Sequence, residues 1–222
     1  MDRTVTLPRT RSARRVAAAL LLVGAASCSG SDQIPVDQLV RQGDLLLHPK
    51  TLEPYSGLAV ATLRNDPSGV AQRLMLRNGT YGGPFETFFE DHTLSSKEIY
   101  ESGVKNGPYA WYFENGQLFE EGTYRDGHLD GPYRAYWENG ELYEEGTYRA
   151  GRFDGPRRWY LGGRLVELVT YENGVMDGLY ERYQEDGALV SKGMLRNGSP
   201  CGMWIEDDRA ITYRACVSRV TE

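Results

Sequence analysis

Glycine recurs along this chain at a nearly fixed interval, and that interval decides most of what the chain can fold into. Gly83, Gly107, Gly131, Gly155, Gly178 and Gly202 are spaced 24, 24, 24, 23 and 24 residues apart. Between them the same phrase returns. Residues 107–131 read GPYAWYFENGQLFEEGTYRDGHLDG, and residues 131–155 read GPYRAYWENGELYEEGTYRAGRFDG. The copy at 155–178 is worn to GPRRWYLGGRLVELVTYENGVMDG, and that at 178–202 reads GLYERYQEDGALVSKGMLRNGSPCG. An upstream copy begins at Gly83-Pro84-Phe85, and a weaker one at Tyr55-Ser56-Gly57. A period of this length marks a repeat architecture, in which each unit buries its apolar surface against its neighbours.

Each unit reads as a hairpin. Asn115-Gly116, Asn139-Gly140 and Asp186-Gly187 sit between apolar runs, which predicts type I′ turns there. A second set of turns follows at Asp126-Gly127, Ala150-Gly151, Asn173-Gly174 and Asn197-Gly198. Two strands of about five to seven residues fit in each unit. Helix is disfavoured because glycine recurs too often. The expected fold is all-β, an elongated antiparallel meander of hairpins with a period of about 24 residues.

The aromatic residues keep the same register. Two places after each leading glycine stand Phe85, Tyr109, Tyr133, Arg157, Tyr180 and Trp204; five places after it stand Phe88, Tyr112, Tyr136, Tyr160, Tyr183 and Asp207. Offsets two and five have opposite parity on a strand. Either a bulge intervenes or both faces carry aromatic rings, and the pattern leaves both open.

The phrase G-P-Y-x-x-Y-x-E-N-G-x-L-x-x-x-G-x-Y-x-x-G resembles the MORN-repeat variant found in many bacterial proteins, among them YwqK-type antitoxin components. The likeness is strong over residues 83–205 and weak over 51–82. It implies an elongated twisted sheet of hairpins that binds proteins or, in eukaryotic relatives, attaches to membranes. The export signal described next departs from the antitoxin pattern, whose members are expected in the cytoplasm.

Residues 1–15 hold five arginines, and Val16 to Ala26 carries no charge. This is a basic segment and an apolar core too short to span a bilayer. It runs through Ala25-Ala26-Ser27 into Cys28, resembling a bacterial lipoprotein signal whose cysteine is lipidated and becomes the mature N-terminus. An ordinary secretory signal is the plainer alternative. The expected organisation is a signal peptide at 1–27, a tether at 28–33, an N-terminal cap at 34–50, the repeat domain at 51–205 and a C-terminal cap at 206–222. The expected location is the bacterial cell envelope, with the membrane reached through the lipid alone. In an exported chain the remaining pair, Cys201 and Cys216, reads as a disulfide. Closing that loop stabilises by about 3 kcal/mol in the chain-entropy model.

Removing the signal takes five basic residues and one acidic, so 25 Lys+Arg against 31 Asp+Glu become 20 against 30, a balance of −10. Such a surface disfavours nucleic acid and anionic headgroups and favours a basic protein partner. We expect a monomer. His48, His92 and His128 are isolated, which argues against a metal site, and no nucleophile elbow or phosphate loop is present. Glu120-Glu121 and Glu144-Glu145 could serve as glycosidase acids, but they recur with the repeat, which reads as a solvated ladder. No enzymatic activity, cofactor or metal is expected. The candidate binding surface comprises Trp111, Trp137, Trp159, Tyr112, Tyr136, Glu120 and Glu144. Burial in the core is the favoured competing reading of the tryptophans. A glycan- or lipid-binding module is the alternative to a protein-binding one.

Overall fold

The computed structural model describes residues 33–64 and 66–217. The signal at 1–27, the lipidation site Cys28 and all of the tether except Gln33 lie outside the described residues. The fold is all-β. From Gly57–Thr62 each long strand pairs antiparallel with the next, through Val70–Arg77, Thr80–Phe88, Leu94–Glu101, Gly107–Tyr112, Leu118–Arg125 and Gly131–Tyr136. The meander continues through Leu142–Arg149, Gly155–Leu161, Arg164–Glu172, Val175–Tyr183, Leu189–Arg196, Ser199–Glu206 and Arg209–Thr212. Ahead of it, Ile34–Pro35 pairs parallel to Gly57–Thr62, and Val40–Gln42 forms a small hairpin with Leu45–Leu47.

The two sets of turns differ from expectation in kind. The Asn-Gly turns are not type I′, because Gly116 has a φ of 80° while Asn115 is absent from the positive-φ residues. Trp137 N–H donates to Glu141 O at 2.8 Å, Gly140 N–H donates to Trp137 O at 2.8 Å, and Asn139 Oδ1 accepts Glu141 N–H at 3.0 Å. This is a longer loop stabilised by an Asx turn, with glycine alone in the left-handed region. The second set is the type I′ set: Asp126 and Gly127 have φ of 49° and 80°, Ala150 and Gly151 of 48° and 78°. These turns are cross-linked between units. Gly127 N–H donates to Lys105 O at 2.9 Å, Gly151 N–H to Leu129 O at 2.8 Å, and Gly174 N–H to Phe153 O at 2.8 Å. Asp130 Oδ2 adds a bond from Ala150 N–H at 3.2 Å.

The parity question resolves in favour of both answers. A register shift recurs in each hairpin beside its Asn-Gly type turn, as between Leu118 and Glu120 or between Ala135 and Tyr136. The rings at offsets two and five nevertheless occupy opposite faces, as their partners show below.

Packing is local, as a repeat demands. At the N-terminal end Ile34, Leu39, Tyr55, Ala59, Leu74 and Leu76 form one buried cluster, against which Val36, Leu46, Tyr81 and Phe85 pack. At the C-terminal end Val169, Leu195 and Trp204 form another, joined by Trp159, Tyr171, Tyr180, Ile211 and Tyr213. Along the sheet, rings lie on glycines inside strands. A Cβ placed on Gly122 would come 2.7 Å from Tyr109 Cε1, and one on Gly193 would come 2.2 Å from Trp204 Cδ2. These glycines serve close approach and not a turn. The expected disulfide is present, joining Cys201 to Cys216 beside the last hairpin.

Candidate binding face

Register decides which side chains share a face, because directly paired residues of neighbouring strands project to the same side. The pairs run Trp111↔Glu120, Glu120↔Ala135, Ala135↔Glu144, Glu144↔Trp159 and Trp159↔Glu167. Trp111, Glu120, Glu144 and Trp159 therefore form one row across the sheet. The offset-two residues Tyr109, Tyr133 and Arg157 share this face, two positions before members of the row. Tyr112 and Tyr136 follow members of the row by one residue and project from the opposite face. Trp137 stands at the hairpin rim, 46% exposed, with its ring 4.7 Å from that of Tyr143. The seven candidates thus make two surfaces and a rim, not one surface. Trp111 and Trp159 are half-buried, intermediate between core and open contact.

On the first face, carboxylates lie beneath the rings. Tyr109 Oη donates to Glu120 Oε1 at 2.7 Å, and Tyr133 Oη to Glu120 Oε2 at 3.3 Å. Tyr180 Oη donates to Glu167 at 3.0 Å. Glu98 accepts from Lys105 Nζ at 2.7 Å, Tyr100 Oη at 3.1 Å and Trp111 Nε1 at 3.3 Å. Glu144 accepts from Arg157 Nε at 2.5 Å. The Arg157 guanidinium lies 3.8 Å from the Trp159 ring centroid and 4.3 Å from that of Phe153. Glu98 and Glu144 are buried, at 6% and 5% exposure. The solvated-ladder reading therefore fails at Glu144. A carboxylate removed from water needs a counter-charge, and Lys105 and Arg157 supply one to each.

The opposite face follows a different rule. Tyr136 Oη donates to Glu121 at 2.9 Å, with Arg134 at 3.6 Å from the same oxygen. Tyr160 Oη and Arg158 serve Glu145 in the same way, at 2.8 and 3.6 Å. Lys192 and Tyr183 serve Glu181 at 2.8 and 2.9 Å. Each of these three carboxylates has a cation.

The phenols remain protonated donors at neutral pH. Burial, then the neighbouring Glu98, pushes Tyr100 up to about 12, and burial with the Glu121 hydrogen bond does the same for Tyr136. Burial and Glu120 raise Tyr109 and Tyr133 further still.

Sequence reasoning missed Glu98, Lys105 and the role of Arg157. The signal for Arg157 was present, since it alone interrupts the aromatic series at offset two while Val169 replaces the glycine it faces. Lys105 and Glu98 carried no such mark. Among the described residues no group of three or more His, Cys, Asp or Glu is placed to hold a metal ion. No helix among them is long and apolar enough to cross a membrane.

Comparison with known proteins agrees with the register. No curated protein matches the chain. A family profile described as MORN repeat variant matches residues 105–126 and 129–150, two stretches one period apart. Both begin just before a leading glycine and end in a type I′ turn, so each covers one structural unit of the meander. Residues 105–150 thus carry MORN-variant repeats, a repeat type that points to a binding module.

Proposed function

We propose that this chain is a non-enzymatic, protein-binding repeat lipoprotein of the bacterial envelope, anchored through Cys28 and acting as a monomer. The observation that carries this reading is the first face itself, a row in which the half-buried Trp111, Glu120 and Trp159 flank the buried Ala135 and Glu144, fixed by the backbone register of successive hairpins. A rigid strip of that kind offers area and hydrogen-bond acceptors without ordering loops on contact. The recurring glutamates are engaged by tyrosines and cations of the repeat, which favours a structural or contact role over acid–base catalysis. A balance of −10 after signal removal favours a basic partner and salt-sensitive association. Neutralisation of an exported toxin is one form of this activity, and it rests on the repeat resemblance alone. No nucleic-acid partner is proposed.

A glycan-binding reading draws on the exposed Trp137 and on a shallow cleft of about 420 Å³ lined by Trp159, Leu161, Val166, Glu167 and Arg182. The test is cross-linking and mass spectrometry on the lipidated full chain extracted from its native membrane, at low and high salt. We expect a stoichiometric basic protein that is lost at high salt and lost from a folded Trp111→Ala, Trp159→Ala variant. Salt-insensitive retention of oligosaccharide, with no protein partner, would favour the second reading. An acyl chain still present after Cys28→Ala would remove the anchor.

A further inference from the structure

The row Trp111–Glu120–Ala135–Glu144–Trp159 has the same residue types in both directions. Ala135, fully buried, stands at its centre. Each glutamate has Ala135 on one side and a tryptophan on the other. Yet the two halves are filled differently. In one half Arg157 pairs with Glu144 and lies between the rings of Trp159 and Phe153. In the other half the place of Arg157, two residues before the tryptophan, is held by Tyr109, and the residue one repeat before Arg157 is Tyr133, which gives Glu120 a phenol and no charge. Tyr109 supplies a second phenol. Glu120 has hydrogen bonds from these two hydroxyls and no ion pair among the described residues, whereas Glu98 and Glu144 on the same face each have one.

Burial follows the same division. The paired carboxylates are closed off from water, while Glu120 and Trp111 are half-exposed. Among the described residues Glu167 and Glu206 also have tyrosine donors only. Glu167, however, has Arg182 directly opposite in register, and Glu206 has Arg209 opposite on one side, Ser191 on the other and no tryptophan beside it in the row. Among the described residues of this face, Glu120 combines an adjacent indole with the absence of any cation paired to it or opposite it in register.

We propose that Glu120 and Trp111 form an open receptor for one arginine side chain of a protein partner. Arg157 shows what this face does with a guanidinium: it stacks on an indole and donates to the carboxylate beside it. A planar guanidinium suits both contacts better than an ammonium. The guest makes the same two kinds of contact, beside the Tyr109 ring that holds the place of Arg157, in the half where the chain supplies no cation of its own. This assignment rests on the protein-binding reading and names the contact that gives that reading its preference for a basic partner.

The test uses the folded mature chain and the probe peptide acetyl-Gly-Arg-Gly-amide, followed by the indole N–H resonances of the four tryptophans. The Trp111 resonance, identified with Trp111→Phe, is expected to shift saturably with a millimolar dissociation constant, the strength suited to one side chain. The same peptide with uncharged citrulline is expected to produce no saturable shift. Glu120→Gln keeps one carbonyl acceptor for a phenol while its amide N–H can donate to the oxygen of the other, so the fold is retained, and it should weaken binding about tenfold or more, equivalent to about 1.4 kcal/mol. Tyr133→Arg supplies the internal cation that Arg157 supplies to Glu144, and it should abolish the shift by filling the site.

Binding that survives either variant, or a folded chain whose Trp111 resonance does not respond, overturns the assignment. A native partner lost with the Trp111→Ala, Trp159→Ala variant but indifferent to Glu120→Gln overturns the arginine receptor and leaves the protein-binding reading standing. Absence of any protein partner overturns that reading separately.

Discussion

The Gly131 and Gly155 units occupy successive places in one sheet and solve the same packing problem in opposite ways. In the first, Tyr133 faces Gly146; in the second, Arg157 faces Val169. A ring over a glycine and a guanidinium beside a valine distribute volume differently across the strand pair. They also distribute charge differently, since only the second gives its neighbouring glutamate a counter-ion. The comparison teaches that a worn repeat is not simply a decayed one. The departures come together, and Val169 at 2% exposure is among the most buried residues of its end of the sheet. A repeat that has lost its consensus residues here gains a core position and an internal ion pair.

The largest expected effect comes from alkali and acts on the tyrosine donors of the repeat. Unfolded tyrosines ionise near pH 10, while Tyr100 and Tyr136 are pushed up to about 12 in the fold and Tyr109 and Tyr133 are raised as well. Above pH 10 the unfolded chain has released protons that the folded chain retains. Stability that is complete below pH 10 is therefore lost as pH rises toward 12. Circular dichroism should report cooperative loss of sheet in that range, together with the rise of phenolate absorbance. Phenolate appearing near pH 10 over an intact sheet would show that these rings do not couple to stability.

A smaller effect distinguishes the two glutamates. Glu144→Gln leaves the Arg157 guanidinium without its counter-charge in a site where that side chain is 23% exposed. The cost should be about 1–3 kcal/mol in urea unfolding, below that of a fully buried pair because some solvent reaches the arginine. Glu120→Gln, with no cation to strand, should stay within about 0.5 kcal/mol. Equal costs would erase the distinction between a filled and an open half.

The smallest effect is a coupling. Gly146→Val places a Cβ 3.0 Å from Phe153 Cε1, and overpacking of this kind costs about 1–3 kcal/mol. Adding Tyr133→Arg reproduces the pair found in the next unit and should recover about 0.5–1 kcal/mol of that loss. Strict additivity in the double mutant would mean that Arg157 and Val169 are not matched to one another.

Much of this architecture was legible because a repeat writes the same constraint several times. One Asn-Gly proves little, but glycines returning at a fixed interval beside rings at fixed offsets require the same local geometry in each unit. The type of each turn was less legible. Asn115-Gly116 carries the strongest short signal for a type I′ turn, yet Ala150-Gly151, with a poorer residue, adopts it. Loop length, set by where the flanking strands resume pairing, overrode residue preference. The candidate site was legible in its residue types and not in its grouping. Trp111 and Tyr112 are neighbours in sequence and belong to opposite faces, while Trp111 and Glu120 meet across a turn.

The sequence by itself determined the period, the strand-and-turn alphabet, the disulfide pair and the acidic balance, because each depends on residue spacing or on charges that add without regard to position. Only the tertiary structure decided which glutamates are buried, which have a cation and which stand open. Those outcomes depend on the register shift in each hairpin and on contacts between units, such as Tyr133 with Glu120 or Arg157 with Glu144. A one-residue change in register would send each of those side chains to the other face, and nothing in the linear order of residues fixes that choice.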